Sequence, residues 1–207
     1  MKGLFISFEG IEGSGKSTQI EKVADYFRKK GREVVVTKEP GATDFGKTIR
    51  ELILNPETTF HSNTTEVLLF TADRVEHIEG LIKPALAAGK IVLCDRNIDS
   101  TYAYQAGGRQ LPEVFVEQMI RVADLKPEVT FLLDLPVSEG LARAKARAAL
   151  DRFEQEEIAF HERVRERYLL QSEDEPERIQ VIECKGLSVD QVYDRLRHLL
   201  ATFQLGQ

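Results

Sequence analysis

Gly10-Ile11-Glu12-Gly13-Ser14-Gly15-Lys16-Ser17 follows directly on the apolar run Leu4–Phe8 and satisfies the pattern G-x-x-x-x-G-K-[ST]. Glycines at this spacing let consecutive backbone N–H groups turn inward around an anion. A helix is expected to start at that point, because Ile20, Val23, Ala24 and Phe27 recur at helical spacing. Lys16 brings a positive charge to the outer phosphates of a nucleoside triphosphate, and Ser17 offers a hydroxyl ligand to Mg²⁺. Residues 10–18, closing on Thr18, are therefore read as a triphosphate cradle. A buried strand before it and an amphipathic helix after it make it the first turn of a parallel α/β sheet.

Working outward, five runs read as buried parallel strands: Leu4–Phe8, Val34–Thr37, Ile91–Asp95, Val129–Leu135 and Ile179–Glu183. All are rich in Val, Ile, Leu and Phe with little polar alternation, as expected where both sheet faces are covered. Helical patterns separate them, at about 44–54, 64–79, 112–122, 138–149, 154–170 and 188–202. Gly31 is placed to end the first helix, and Ser138 and Ser188 to cap two later ones. The expectation is one α/β domain over residues 1–207, with the P-loop NTPase fold: a five-stranded parallel sheet, helices on both faces and a short helical lid at about 142–153.

The 207 residues carry a net charge of −6 and a pI near 5.4. This balance excludes a general electrostatic affinity for nucleic acid or an anionic membrane, so an anionic ligand needs a local basic cluster. Cys94 and Cys184 lie in or beside apolar runs and read as reduced core residues rather than a disulfide. No apolar stretch reaches the ~20 residues of a membrane span and no signal-peptide pattern opens the chain, so a cytoplasmic location is the default expectation.

A triphosphate loop serves a switch, a motor or a kinase. A GTPase switch calls for an N-K-x-D motif, which is absent, and a motor calls for further domains. A small-molecule kinase needs an acceptor site, cations between donor and acceptor, and a cover against water. Ile91–Cys94 ends in Asp95-Arg96 at the carboxyl edge of a strand; Asp95 can hold Mg²⁺ and Arg96 a phosphate. After it come Asn97–Gln105, including Ser100, Thr101, Tyr104 and Gln105, the groups that hold a base or sugar. Arg143 and Arg147 share one face of an alanine-rich helix, as a closing lid would require. From pattern alone, the lid reads equally as a solvated helix face, Phe70 as core, Arg50 and Arg74 as solvent-facing, and Glu39-Pro40-Gly41 as a turn. His61, His77, His161 and His198 are scattered without a metal-like cluster.

Taken together, FEGIEGSGKSTQ (8–19), TKEPGAT (37–43), LLFTADRVEHI (68–78), DRNIDSTYAYQ (95–105) and RAKARAALDRFE (143–154) resemble the thymidylate kinase family, from about residue 3 to residue 170. Asn97, Lys38 and Ala42 depart from the usual family residues. The resemblance implies Mg²⁺-dependent transfer of the ATP γ-phosphoryl group to dTMP, and a homodimer. It implies that Phe70 stacks on thymine, with Arg74, Thr101 and Gln105 reading the base. Arg50 and Arg96 would hold the acceptor phosphate, Tyr104 would face the sugar C2′, and Glu12 the 3′-hydroxyl. Glu39, Pro40 and Ser100 complete the expected acceptor site, and Lys16, Asp95, Arg96, Arg143 and Arg147 the catalytic set. In some members an arginine stands where this loop has Gly13; here the lid, through Arg147 first and Arg143 second, is expected to supply that charge. Two competing readings are a kinase for another small acceptor and a nucleotide-binding regulator without transfer.

Overall fold

The computed structural model describes residues 2–123, 125–147 and 149–202. Five parallel strands form one sheet: β1 (Leu4–Glu9), β2 (Val34–Lys38), β3 (Ile91–Asp95), β4 (Val129–Asp134) and β5 (Ile179–Glu183), in the order β2-β3-β1-β4-β5. β1, β3 and β4 are buried on both faces, whereas the edge strands β2 and β5 leave Val36 and Val181 exposed. Ile6, Phe8, Ile91, Leu93, Phe131 and Leu133 point to one side, where they meet Ile20, Val23 and Phe27 of α1 (Lys16–Lys29). Val192, Leu196 and Leu200 of the last helix, Val189–Thr202, complete that layer. Phe5, Val92 and Cys94 point to the other side, against Ile78, Ile82 and Ala85. Both cysteines are free and buried.

The chain leaves β1 toward β3 and β2, then returns across β1 to β4 and β5. The strand order therefore reverses beside β1 and β3, opening a crevice at their carboxyl ends, where Phe8 lies level with Asp95. Local chemistry sets the helix limits. Gly31, at φ 75°, ends α1, with Gly31 N–H donating to Arg28 O and Arg32 N–H to Phe27 O. Thr43 Oγ1 caps α2 (Asp44–Leu54) by accepting from Gly46 N at 2.9 Å.

Four expectations need correction. The helix expected over 64–79 is α3 (Asn63–His77), which runs on through a π-helical segment, Ile78–Ile82, into α4 (Lys83–Ala87). A helix expected nowhere, α5 (Ile98–Thr101), continues as a π-helical stretch over Tyr102–Gly108. Ser138 is not a cap: α7 (Val137–Arg147) starts before it, with Glu139 and Gly140 N–H both donating to Pro136 O. The expected helix 138–149 also included Ala148, outside the described residues. The helix expected from 154 begins later, as α8 (Ile158–Asp174), while α6 (Glu113–Arg121) falls where expected. Ser188 does cap the last helix, α9 (Val189–Thr202): its Oγ accepts from Gln191 N and its N–H donates to Gln191 Oε1.

Candidate active site

The crevice is a cleft of about 570 Å³. Its floor is the loop after β1. Gly10, Gly13 and Gly15 hold φ of 135°, 71° and 99°, values that L side chains rarely adopt. At Gly13 a Cβ would lie 2.2 Å from Gly140 O, and at Gly140 a Cβ would lie 2.4 Å from Glu12 O. The loop and α7 thus touch backbone to backbone. Lys16 Nζ donates to Gly10 O at 2.9 Å and Ile11 O at 3.0 Å, so its ammonium lies across the loop. Burial and the neighbouring Arg96 pull the Lys16 pKa down to about 8, against Asp95, Glu12 and Glu9. Glu12, Gly13, Gly15, Lys16, Ser17 and Thr18 line the cleft, whereas Ile11 is core and Gly10 and Ser14 lie beneath.

Across the floor, Ser17 Oγ donates to Asp95 Oδ2 at 2.9 Å, bridging the phosphate loop and β3. The hydroxyl and carboxylate are hard oxygen donors, a set that suits Mg²⁺. Arg96 follows at φ 71°, with its side chain aimed into the crevice. Its Nη2 donates to Glu12 Oε1 at 3.0 Å, and its guanidinium sits 4.8 Å over the Tyr104 ring. Tyr104 Oη donates to the same Glu12 oxygen. Burial pushes the Glu12 carboxyl up, but His161, Arg96, Lys16 and Tyr104 outweigh it and hold it well below the usual carboxylate range. His161 Nδ1 lies 3.4 Å from Glu12 Oε2.

The far end of the cleft holds the other acceptor candidates. Arg74 is 2% exposed, so a solvent-facing role is ruled out. Its Nε donates to Glu39 Oε2 at 2.8 Å and its Nη2 to Asn97 O at 3.2 Å. Glu39 Oε1 also meets His77 Nδ1 at 3.0 Å and accepts from Asn97 Nδ2 at 2.8 Å. Glu39 is thereby a strut for Arg74 more than a free contact. Burial raises its carboxyl, and Arg74 and His77 bring it back below the ordinary range. The histidines also need a correction: His77, Glu39 and Cys94 bring three potential ligand atoms within 4.8 Å of one another, although the Glu39 oxygens are already committed.

Arg50 Nη1 donates to Pro40 O at 2.8 Å, and Phe70 is half-buried at the wall, 6.0 Å from the Phe153 ring. Pro40, Arg50, Phe70, Ser100, Thr101 and Gln105 all line the cleft. Gln105 Nε2 is occupied by Glu66 at 3.0 Å, leaving its carbonyl, while buried Thr101 Oγ1 has no partner among the described residues. Over the opening, Arg143 and Arg147 line the rim, and Arg147 Nη2 donates to Glu154 Oε1 at 2.9 Å.

Every expected side chain except Ile11 and Ser14 therefore converges on one cleft. Sequence reasoning assigned no role to Glu9, Asn97, Asp151, Phe153, Glu154, His161 or Tyr168. Phe153 and Glu154 lie inside the lid motif, which marked their neighbourhood. Glu9 and Tyr168 carry no local signal.

The Thymidylate kinase family model matches residues 8–195. A thymidylate kinase from Pseudomonas putida is 48% identical over 187 residues, covering 89% of each chain. One from Ectopseudomonas mendocina is 46% identical over 202 residues, covering 97% of this chain and 96% of its own. The crystal structure of thymidylate kinase from Ehrlichia chaffeensis superposes with a TM-score of 0.80 at 32% identity, covering 97% of this chain and 100% of its own. A family match of this extent on a cleft of this chemistry leaves one conclusion: the chain belongs to the thymidylate kinase family.

Proposed function

We propose that the cleft carries out the reaction of this family, transfer of the ATP γ-phosphoryl group to dTMP to give dTDP and ADP. One observation carries the assignment of roles. The triphosphate end (Lys16, Ser17, Asp95) and a second cationic end (Arg50, Arg74, Arg96) open into one cleft, with the lid arginines above both. ATP binds with its β- and γ-phosphates against the loop N–H groups and Lys16. Mg²⁺ fits the Ser17 and Asp95 oxygens and supplies neutralisation of phosphate charge.

Arg50 and Arg96 hold the phosphate of dTMP. Phe70 stacks on thymine, with Arg74, Thr101 and Gln105 at its polar edge. The Tyr104 ring lies against the deoxyribose, and Glu12 accepts from its 3′-hydroxyl. No general base is needed, because the attacking phosphate oxygen is already ionised. The chain's own contribution is to align that oxygen with the γ-phosphorus, neutralise charge and exclude water. Gly13 adds no cation to the loop, so Arg147, assisted by Arg143, supplies it from the lid.

Exposed apolar residues on the adjacent helices α2, α3 and α6 (Phe45, Leu52, Leu68 and Val114) support a homodimer through that face. Among the described residues no helix is long and apolar enough to cross a membrane, and a cytoplasmic enzyme is the reading adopted.

The decisive experiment is coupled ADP release with dTMP, dUMP, CMP, AMP or shikimate as acceptor. Release that depends on dTMP is expected. Acceptor-independent hydrolysis, or preference for another acceptor, would overturn the assignment.

A further inference from the structure

Arg96 Nη1 donates to two hydroxyl oxygens, Ser100 Oγ at 3.2 Å and Tyr168 Oη at 3.0 Å. A hydroxyl has one hydrogen, so its direction decides whether the oxygen can face a guanidinium N–H. Both hydroxyls lie within donating distance of one atom, Glu9 Oε2, at 2.6 Å from Ser100 and 2.8 Å from Tyr168, and the two hydroxyl oxygens lie 2.7 Å from each other. The other oxygen, Glu9 Oε1, accepts from Asn97 N–H at 2.6 Å. Three donors converge on one fully buried carboxyl group, which makes no hydrogen bond or ion pair with Arg96 and does not itself line the cleft, although Ser100 and Asn97 do.

We infer that Glu9 and Tyr168 are positioning residues for Arg96. Glu9 polarises the two hydroxyls so that their lone pairs face Nη1 and hold the guanidinium plane. Asn97 N–H, bonded to the same carboxylate, fixes the backbone just after Arg96, whose φ of 71° directs the side chain inward. With Nη1 tied behind and Nη2 shared with Glu12, the guanidinium is held ready for the acceptor phosphate without having to be ordered on binding. Three elements far apart in sequence thereby set one angle: the end of β1, the turn after β3 and α8. The inference rests on the reading of Arg96 as the acceptor-phosphate ligand.

The test compares steady-state kinetics of Tyr168→Phe, Glu9→Gln and Arg96→Gln, with Tyr168→Phe/Arg96→Gln as the double variant. Tyr168→Phe removes one hydroxyl and keeps the ring. Glu9→Gln substitutes a donor where all three partners already donate. Each is expected to lower kcat/KM for dTMP about tenfold, leaving KM for ATP within about twofold. In the Arg96→Gln background, Tyr168→Phe should cost less than about twofold, a loss of additivity that a purely structural role would not produce. If Glu9→Gln fails to fold, Tyr168→Phe carries the test with its thermal midpoint as control. A large loss in Arg96→Gln alongside unchanged Tyr168→Phe, or additive losses in the double variant, would overturn the positioning role alone. Undiminished dTMP kinetics in Arg96→Gln would overturn the reading of Arg96 as well.

Discussion

Arg147 is the more exposed of the two lid arginines. Its side chain is 66% exposed and tied by one ion pair to Glu154. Although Glu154 is buried, the guanidinium end stands largely in water, so it can turn toward the transferring phosphate at little cost to folding. Arg147→Ala is expected to lower kcat by ~10³-fold while changing KM for dTMP far less, measured by steady-state kinetics. Phe70 belongs to both readings that the pattern left open, since it packs against the core and also lines the cleft. Phe70→Ala should raise KM for dTMP about tenfold and spare that for ATP. These residues were legible because each sits in a contiguous motif. Glu9, Tyr168 and His161 were not, since their meaning lies in contacts with distant residues. Glu9 meets Tyr168 across 159 positions, and no spacing rule reaches that far.

At the scale of elements, parallel strands and amphipathic helices were legible because burial on one or two faces imposes a period on the sequence. The helical segment Ile98–Gly108 was not. Asn97, Asp99, Ser100 and Thr101 favour caps and turns, and the following run ends in two glycines. Packing against α8 holds it helical, with Phe160 and Val164 so close to Gly108 that a Cβ there would lie 2.5 Å from the Phe160 ring. The lid, expected as a closing helix over about 142–153, is helical only as far as Arg147 among the described residues, and the chain is anchored beyond it. Arg152 Nε donates to Ile53 O at 2.7 Å, its Nη2 to Glu66 Oε2 at 2.7 Å, and its guanidinium covers the Phe60 and Phe153 rings. Arg152→Ala leaves Glu66 with Arg109 and Gln105, so a moderate loss is expected. Calorimetry should show a thermal midpoint lower by about 4 °C.

For the whole molecule, buried carboxyls set the pH response. Burial and the charge of Glu39 push the Asp73 carboxyl up to about 6, against Gly41 N–H, His77 and Arg74. In the unfolded chain it titrates near 3.8, so between about pH 4 and pH 6 the native state holds a proton the unfolded state has lost. Stability contributed by this group therefore falls as pH rises through that window, by at most ~1.4 kcal/mol per pH unit. Glu9, raised by burial and by Asp99, adds in the same direction, whereas Glu175, held down at about 2 by Arg178 and Lys126, acts mainly below pH 4.5. Asp73→Asn keeps an acceptor for Gly41 N–H and should flatten the urea midpoint between pH 4 and pH 6. Subunit association can be read in the same samples. Leu68, 50% exposed on α3, is expected to lie in the dimer face, and Leu68→Glu should sediment as a monomer.

The mutual approach of Gly13 and Gly140 has a consequence for how this chain can change. An arginine at position 13 would need a left-handed backbone and would drive its Cβ into the carbonyl of Gly140. Moving the transition-state cation from lid to loop therefore takes a shift of α7 as well as the substitution. Gly13→Arg alone is thus a strained intermediate between the two arrangements, and an engineer seeking the other one should adjust the start of α7 together with the loop.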